Sequence, residues 1–152
     1  MNRTFGEAVQ LPGNVTTLLD NRGLTEGELY FALGIQIDEA SATGGIASIP
    51  VSGNTQPYGL LHGGASIALA ETIASLCAML SCRQDQIAVG TRVEASHIRP
   101  ARRGRATARA VMVARTESLR QYKVTVSDDS RHILSEVDIE CRVLDARKPK
   151  GI

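Results

Sequence analysis

The chain has 152 residues and a formal net charge of +1, a length that suits one domain and a balance that excludes bulk binding to polyanions. Apolar residues make up 43% and charged residues 22%, as expected for one ordinary globular core. Only 3% of residues are aromatic and none is Trp, so that core is aliphatic and few rings are left to stack on nucleic-acid bases.

Residues 1–13 are polar, end in Pro12-Gly13 and read as a loose arm with no apolar signal core. Val15 to Asn21 reads as a short helix, with Asn14 as candidate N-cap and Gly23 near its end. From Leu29 to Ile37 the near alternation of Tyr30, Phe31, Leu33, Ile35 and Ile37 predicts a half-buried strand. Gly44 to Val51 predicts a second strand, closed by Ser52-Gly53-Asn54. A loop follows over residues 56–64. The Ala- and Leu-rich run from Ala65 to Leu80 is too long for a strand and predicts a helix. Strands are expected over Ile87–His97, Ala106–Ala114, Tyr122–Ser127 and Ile133–Leu144, with Asp128-Asp129-Ser130 as a turn. The domain thus covers residues 14–146, and residues 147–152 form a frayed tail. Two strands, one long helix and four strands make an α+β domain.

No uninterrupted apolar stretch reaches 18 residues, so no membrane span is expected. Cys77, Cys82 and Cys141 form no CxxC pair and have no histidine at metal-ligand spacing. No metal site is expected, and a reducing compartment, the cytoplasm, is. Cys77 and Cys82 read as small buried hydrophobes near a helix end, and His132 as a surface residue without a partner.

Between His62 and Arg83 the one charged residue is Glu71. A helix apolar all round is buried, and a lone carboxylate within it is costly unless it is paired. A buried carboxyl group also suits general-base chemistry better than an exposed one. Ser75 stands four residues on, on the same face, and Ala68, Ala74 and Ala78 are expected to leave room around the carboxylate. The alternative is a structural glutamate, bonded to a loop amide or an arginine. Gly63 and Gly64 let a ligand approach the backbone at the helix start, where unpaired amides and the dipole could stabilise an oxyanion. The plain alternatives are a glycine-rich helix start and, for His62, a residue that ties the loop down. Gly63 and Glu71 are eight residues apart, about 12 Å along a helix axis. One carbonyl cannot easily touch both, so a site using both predicts a two-fold dimer that shares it.

The stretch Gln56-Pro57-Tyr58-Gly59-Leu60-Leu61-His62-Gly63-Gly64, running on to Leu69 and Glu71, carries the pattern G-L-x-H-G-G-x-x-x-x-L-x-E. It resembles the hotdog-fold acyl-CoA thioesterases of the phenylacetate-pathway and 4-hydroxybenzoyl-CoA type, more weakly from Leu29 to Leu144. The resemblance implies a six-stranded antiparallel sheet wrapped around one long helix. It also implies homodimers joined edge to edge and commonly paired into homotetramers. By position, Gln56 would orient or polarise the thioester carbonyl, and the Gly63 amide, beside Gly64, would be the main oxyanion donor. His62 would hold the loop and assist near the leaving thiolate. Glu71 of the other subunit would attack the carbonyl or activate water, and Ser75 would position that water.

The segment from Ser96 to Arg105 has four arginines in seven residues, and arginine's planar fork suits phosphate. Its start, Ser96, His97 and Arg99, is similar to the family's CoA-contacting stretch, while Arg102, Arg103 and Arg105 fit a solvated turn equally well. Where relatives carry Gly-Arg or Gly-Ser, this chain has Thr116-Glu117-Ser118; Ser118 would replace one contact, and Glu117 would be unfavourable near phosphate. The resemblance implies hydrolysis of aryl or short acyl-CoA, such as hydroxybenzoyl-, hydroxyphenylacetyl- or 1,4-dihydroxy-2-naphthoyl-CoA. No cofactor is implied beyond the CoA of the substrate, nor a nucleic-acid or membrane partner. Alternatives are acyl groups on a carrier protein, a hotdog dehydratase, a non-catalytic CoA-binding regulatory module and an oligomeric scaffold. Glu71 favours catalysis, and Gln56 with His62-Gly63-Gly64 argues against a dehydratase.

Overall fold

Alternation along β4 (Arg105–Arg115) gives the sheet one buried face: Ala106, Ala108 and Ala110 are buried, while Arg109, Val111 and Val113 are exposed. The same period recurs in β5 (Leu119–Ser127), where Arg120, Tyr122, Val124 and Val126 point inward, and in β6 (Ile133–Asp145). With β1 (Gln36–Ser41), β2 (Gly44–Pro50) and β3 (Gln86–His97) these strands form one six-stranded antiparallel sheet, ordered β1-β2-β4-β5-β6-β3. The computed structural model describes residues 11–146. The expected tail and most of the expected N-terminal arm lie outside the described residues.

The long helix α3 (Gly63–Leu80) touches all six strands. It buries Leu69, Ala70, Ile73, Ala74, Leu76, Cys77 and Ala78 in the concave face. The small alanines of β2 and β4 let the sheet wrap closely around it. This is the α+β, helix-in-sheet architecture expected from the sequence.

By length and composition alone α3 could cross a membrane, although Glu71 interrupts its apolar run as expected from the sequence. Half of the helix is packed inside this domain, as in a core helix.

Two local expectations need correction. Residues Glu28–Leu33 form helix α2, not strand; Gly34 ends it at φ 68°, and β1 starts only at Gln36. Tyr30 and Leu33, three apart, pack on the core as a helix requires, while Leu29 and Phe31 are exposed. Helix α1 (Gly13–Arg22) is longer than expected and has Pro12, not Asn14, at its N-cap. The Asn14 side chain instead donates to the Ala40 carbonyl at 2.7 Å, tying α1 to β1.

Candidate active site

The loop before α3 is anchored from within. Asn54, 7% exposed, donates through Nδ2 to the carbonyls of Leu33 and Pro50, both at 2.8 Å. The His62 amide donates back to the Asn54 carbonyl, and the Leu61 amide to that of Ala101. His62 then caps α3: its Nδ1 accepts from the Gly64 amide at 2.8 Å. This fits a loop-holding histidine, and it occupies the Gly64 amide. That leaves the Gly63 amide, not the Gly64 amide, as the candidate oxyanion donor.

The Gly63 amide makes no hydrogen bond among the described residues. It sits at the positive end of the α3 dipole, at the wall of a cleft of about 350 Å³. Gln56, Gly63, Ser66, His97, Arg99 and Ser135 supply the cleft's polar lining, and Leu60, Leu61, Ile98 and Leu134 are among its apolar lining. Gln56 accepts the Tyr58 amide through Oε1, which leaves its amide nitrogen as the end available to a ligand. His97 is held by a 2.9 Å contact between Nδ1 and the Ser135 hydroxyl. Its opposite edge lies against Gly63, where a Cβ would meet Nε2 at 2.6 Å. Glycine at this position thus makes room for the His97 ring.

Four residues singled out from the sequence, Gln56, Gly63, His97 and Arg99, therefore meet in one cleft. Two others do not reach it in this chain. Ser96 precedes His97 in β3, and strand alternation turns it to the other face. Ser118 lies in the β4–β5 turn, at the end of the sheet away from the cleft, where its carbonyl accepts the Val143 amide. That end is closed by Arg120, 3% exposed, which donates to Ser81 Oγ at 2.7 Å and to the carbonyls of Thr116 and Leu119. Of the other arginines, Arg105 holds the Ser48 hydroxyl and Arg102 the Tyr58 carbonyl.

Ser66 and Ser135 were missed. Ser66 stands three residues after Gly63 on one helix, so spacing alone could have found it. Ser135 faces His97 only through the β3–β6 register, which no local pattern reveals.

Glu71 and Ser75 lie two or more turns further along α3 and do not line the cleft. They sit on its open stripe with Gly64 and Ala68, so Glu71 is half-buried and not enclosed as expected. Ala74 and Ala78 are buried, off this stripe, so of the three alanines expected around the carboxylate only Ala68 shares its face. Glu71 makes no hydrogen bond or ion pair among the described residues, so none of them is the loop amide or arginine that a structural role would use. Ser75 Oγ lies 3.9 Å from Cys141 Sγ, a thiol whose pKa is raised chiefly by burial. Cys77 is fully buried, and burial pushes its thiol up to about 11. Cys82 is only half-buried, with Sγ on the Ala78 carbonyl, which corrects its reading as a core residue. His132 is exposed as expected, yet it pairs with Asp128 at 3.1 Å.

One edge of the sheet, β3, runs beside Glu71 and, among the described residues, has no strand on its outer side. Ile87, Val89 and Val93 are exposed along it. A long apolar edge of this kind is a template for pairing with another chain.

Comparison with known proteins gives a consistent picture. The Thioesterase superfamily matches residues 58–135. A Deinococcus radiodurans relative assigned as an esterase is 36% identical over 119 residues, 78% of this chain and 75% of its own. The 1,4-dihydroxy-2-naphthoyl-CoA hydrolase of Escherichia coli is 40% identical over 90 residues, 59% of this chain and 66% of its own. A solved thioesterase from Haemophilus influenzae superposes with a TM-score of 0.78 at 30% identity, covering 88% of this chain and 94% of the other.

Proposed function

Because the chain belongs to the thioesterase superfamily and has its hotdog fold, we propose that it hydrolyses aryl or short acyl-CoA thioesters to a carboxylate and free CoA. The observation that carries this reading is the Gly63 amide at the start of α3, unpaired among the described residues, at the wall of the cleft that also holds Gln56, His97 and Arg99.

In this scheme the thioester oxygen accepts from the Gly63 amide and the Gln56 side-chain amide. Both donors stand ready before charge develops on that oxygen, and the α3 dipole adds to them. Arg99 at the cleft rim meets a phosphate of CoA. His62 acts by holding the first turn of α3 in place.

The attacking group comes from a second copy. Glu71 of the partner subunit enters when two β3 edges pair antiparallel, bringing the two α3 helices side by side. It either activates a water held by Ser75 of the partner subunit or attacks the carbonyl directly, giving a mixed anhydride that water then opens. No cofactor takes part. The acyl preference draws support from the likeness to the naphthoyl-CoA hydrolase.

The test is thiol release from a panel of aryl, short and long acyl-CoAs, with wild type beside Glu71→Ala and Glu71→Gln. The reading expects an aryl-CoA to turn over and both variants, still folded and oligomeric, to lose about 100-fold or more, the scale of a lost general base. Cleavage that survives both substitutions would overturn the site. No cleavage of any acyl-CoA would redirect the reading to carrier-bound acyl groups.

A further inference from the structure

Glycine in the middle of a strand weakens it, and β3 has one at position 90, on the edge facing outward from the sheet. Its backbone does not call for glycine, since Gly90 is absent from the residues with positive φ. A side chain there would collide with one group. A Cβ on Gly90 would lie 2.8 Å from Glu71 Oε1, with Glu71 Cδ at 3.7 Å and Ser75 Oγ at 3.8 Å. Gly45 differs in kind, because a Cβ there would meet the Glu39 carbonyl at 2.6 Å and so press on the backbone.

The surroundings fit a built seat. The β3–β6 register slips between Gly90 and Arg92, so the strand bulges next to the carboxylate. Such bulges bend a strand and re-aim its neighbours. Across the ladder Gly90 pairs with Cys141, whose Sγ touches Ser75 Oγ. Elements α3, β3 and β6 thus converge on the Glu71 carboxylate.

We infer that Gly90 is a positioning residue: the space left by its missing side chain is the seat of the Glu71 carboxylate. Alanine at 90 keeps the fold, because only the far end of a flexible side chain has to move. It displaces the carboxylate, and an ångström of misplacement is enough to cost a reaction about 100-fold. The activity part of this inference rests on the thioesterase reading above; the geometry does not.

The experiment compares the full-length wild type with Gly90→Ala, Glu71→Asp and the double variant. Gly90→Ala is expected to keep its far-UV spectrum and oligomeric mass, to lose about 100-fold in kcat and to leave KM nearly unchanged. In Glu71→Asp the carboxylate is one methylene shorter and already withdrawn from position 90, so adding Gly90→Ala should cost little more. An unchanged kcat in Gly90→Ala, or losses that multiply in the double variant, would overturn the inference. A second readout is the 13C carboxyl resonance of Glu71, assigned by its loss in Glu71→Gln. Gly90→Ala should shift it more than any other glutamate resonance, and no shift would overturn the inference whatever the kinetics show. If the wild type cleaves no thioester, the functional reading fails and this resonance alone decides the role of Gly90.

Discussion

The imidazole of His97 occupies the space that a side chain on Gly63 would need, with Nε2 only 2.6 Å from where that Cβ would lie. Strand β3 and the first turn of α3 are thereby locked together at the amide proposed to hold the oxyanion. Gly63→Ala must push the ring off its Ser135 contact or shift the helix start. The expected result is a loss of about 1–3 kcal/mol in stability, the usual cost of overpacking, together with a large fall in kcat. Urea titration and thiol-release kinetics check the two parts.

Gln56→Ala removes a donor without touching the core. It should lower kcat by about 100- to 1,000-fold, as for the loss of one oxyanion-hole donor, and leave the urea midpoint unchanged. Steady-state kinetics beside the unfolding curve separate this outcome from a folding defect.

Asn54 is nearly buried and its amide bridges two carbonyls, those of Leu33 and Pro50. Asn54→Ala leaves both acceptors short of a partner and should cost about 1–3 kcal/mol. The loop over residues 55–61 should exchange its amides faster, which hydrogen exchange reads directly.

Cys77 gives a pH prediction. Its thiol is raised from 9.0 to about 11, mainly by burial, so it is neutral in the folded chain where an unfolded chain would already ionise. The folded pKa lies above the unfolded one. This contribution to stability is therefore fully present below pH 9.0 and is lost as pH rises towards about 11. Cys77→Ser should flatten that alkaline decline in urea midpoint. At pH 8 Cys77 and Cys141 should also alkylate far more slowly than half-buried Cys82, as peptide mass mapping would show.

The helix was legible as an apolar run too long for a strand, and strands such as β4 by a clean alternation, as from Ala106 to Ala110. Leu29 to Ile37 was misread because Phe31, Leu33, Ile35 and Ile37 alternate as a strand does, and Gly34, which divides the run into helix and strand, was passed over. Within the site, Gln56, His62 and Gly63 stand in one contiguous stretch and could be read as such. Ser135 and Gly90 could not, since each acts through a partner reached only by strand register or helix packing. The separation of Glu71 from Gly63 was readable as a length along one helix, and the proposal of a second chain rests on this length.

That shared site is the central claim, and subunit mixing tests it most directly. Glu71→Gln and Gln56→Ala chains, each nearly inactive alone, are unfolded, mixed in equal amounts and refolded. If Gln56 and Gly63 of one chain work with Glu71 of the other, each mixed dimer contains one intact site. Half the dimers are then mixed, and activity should return to about a quarter of the wild-type level by symmetry. A mixture that forms hybrid dimers yet stays as inactive as its parents would contradict the shared site and place the whole reaction within one chain.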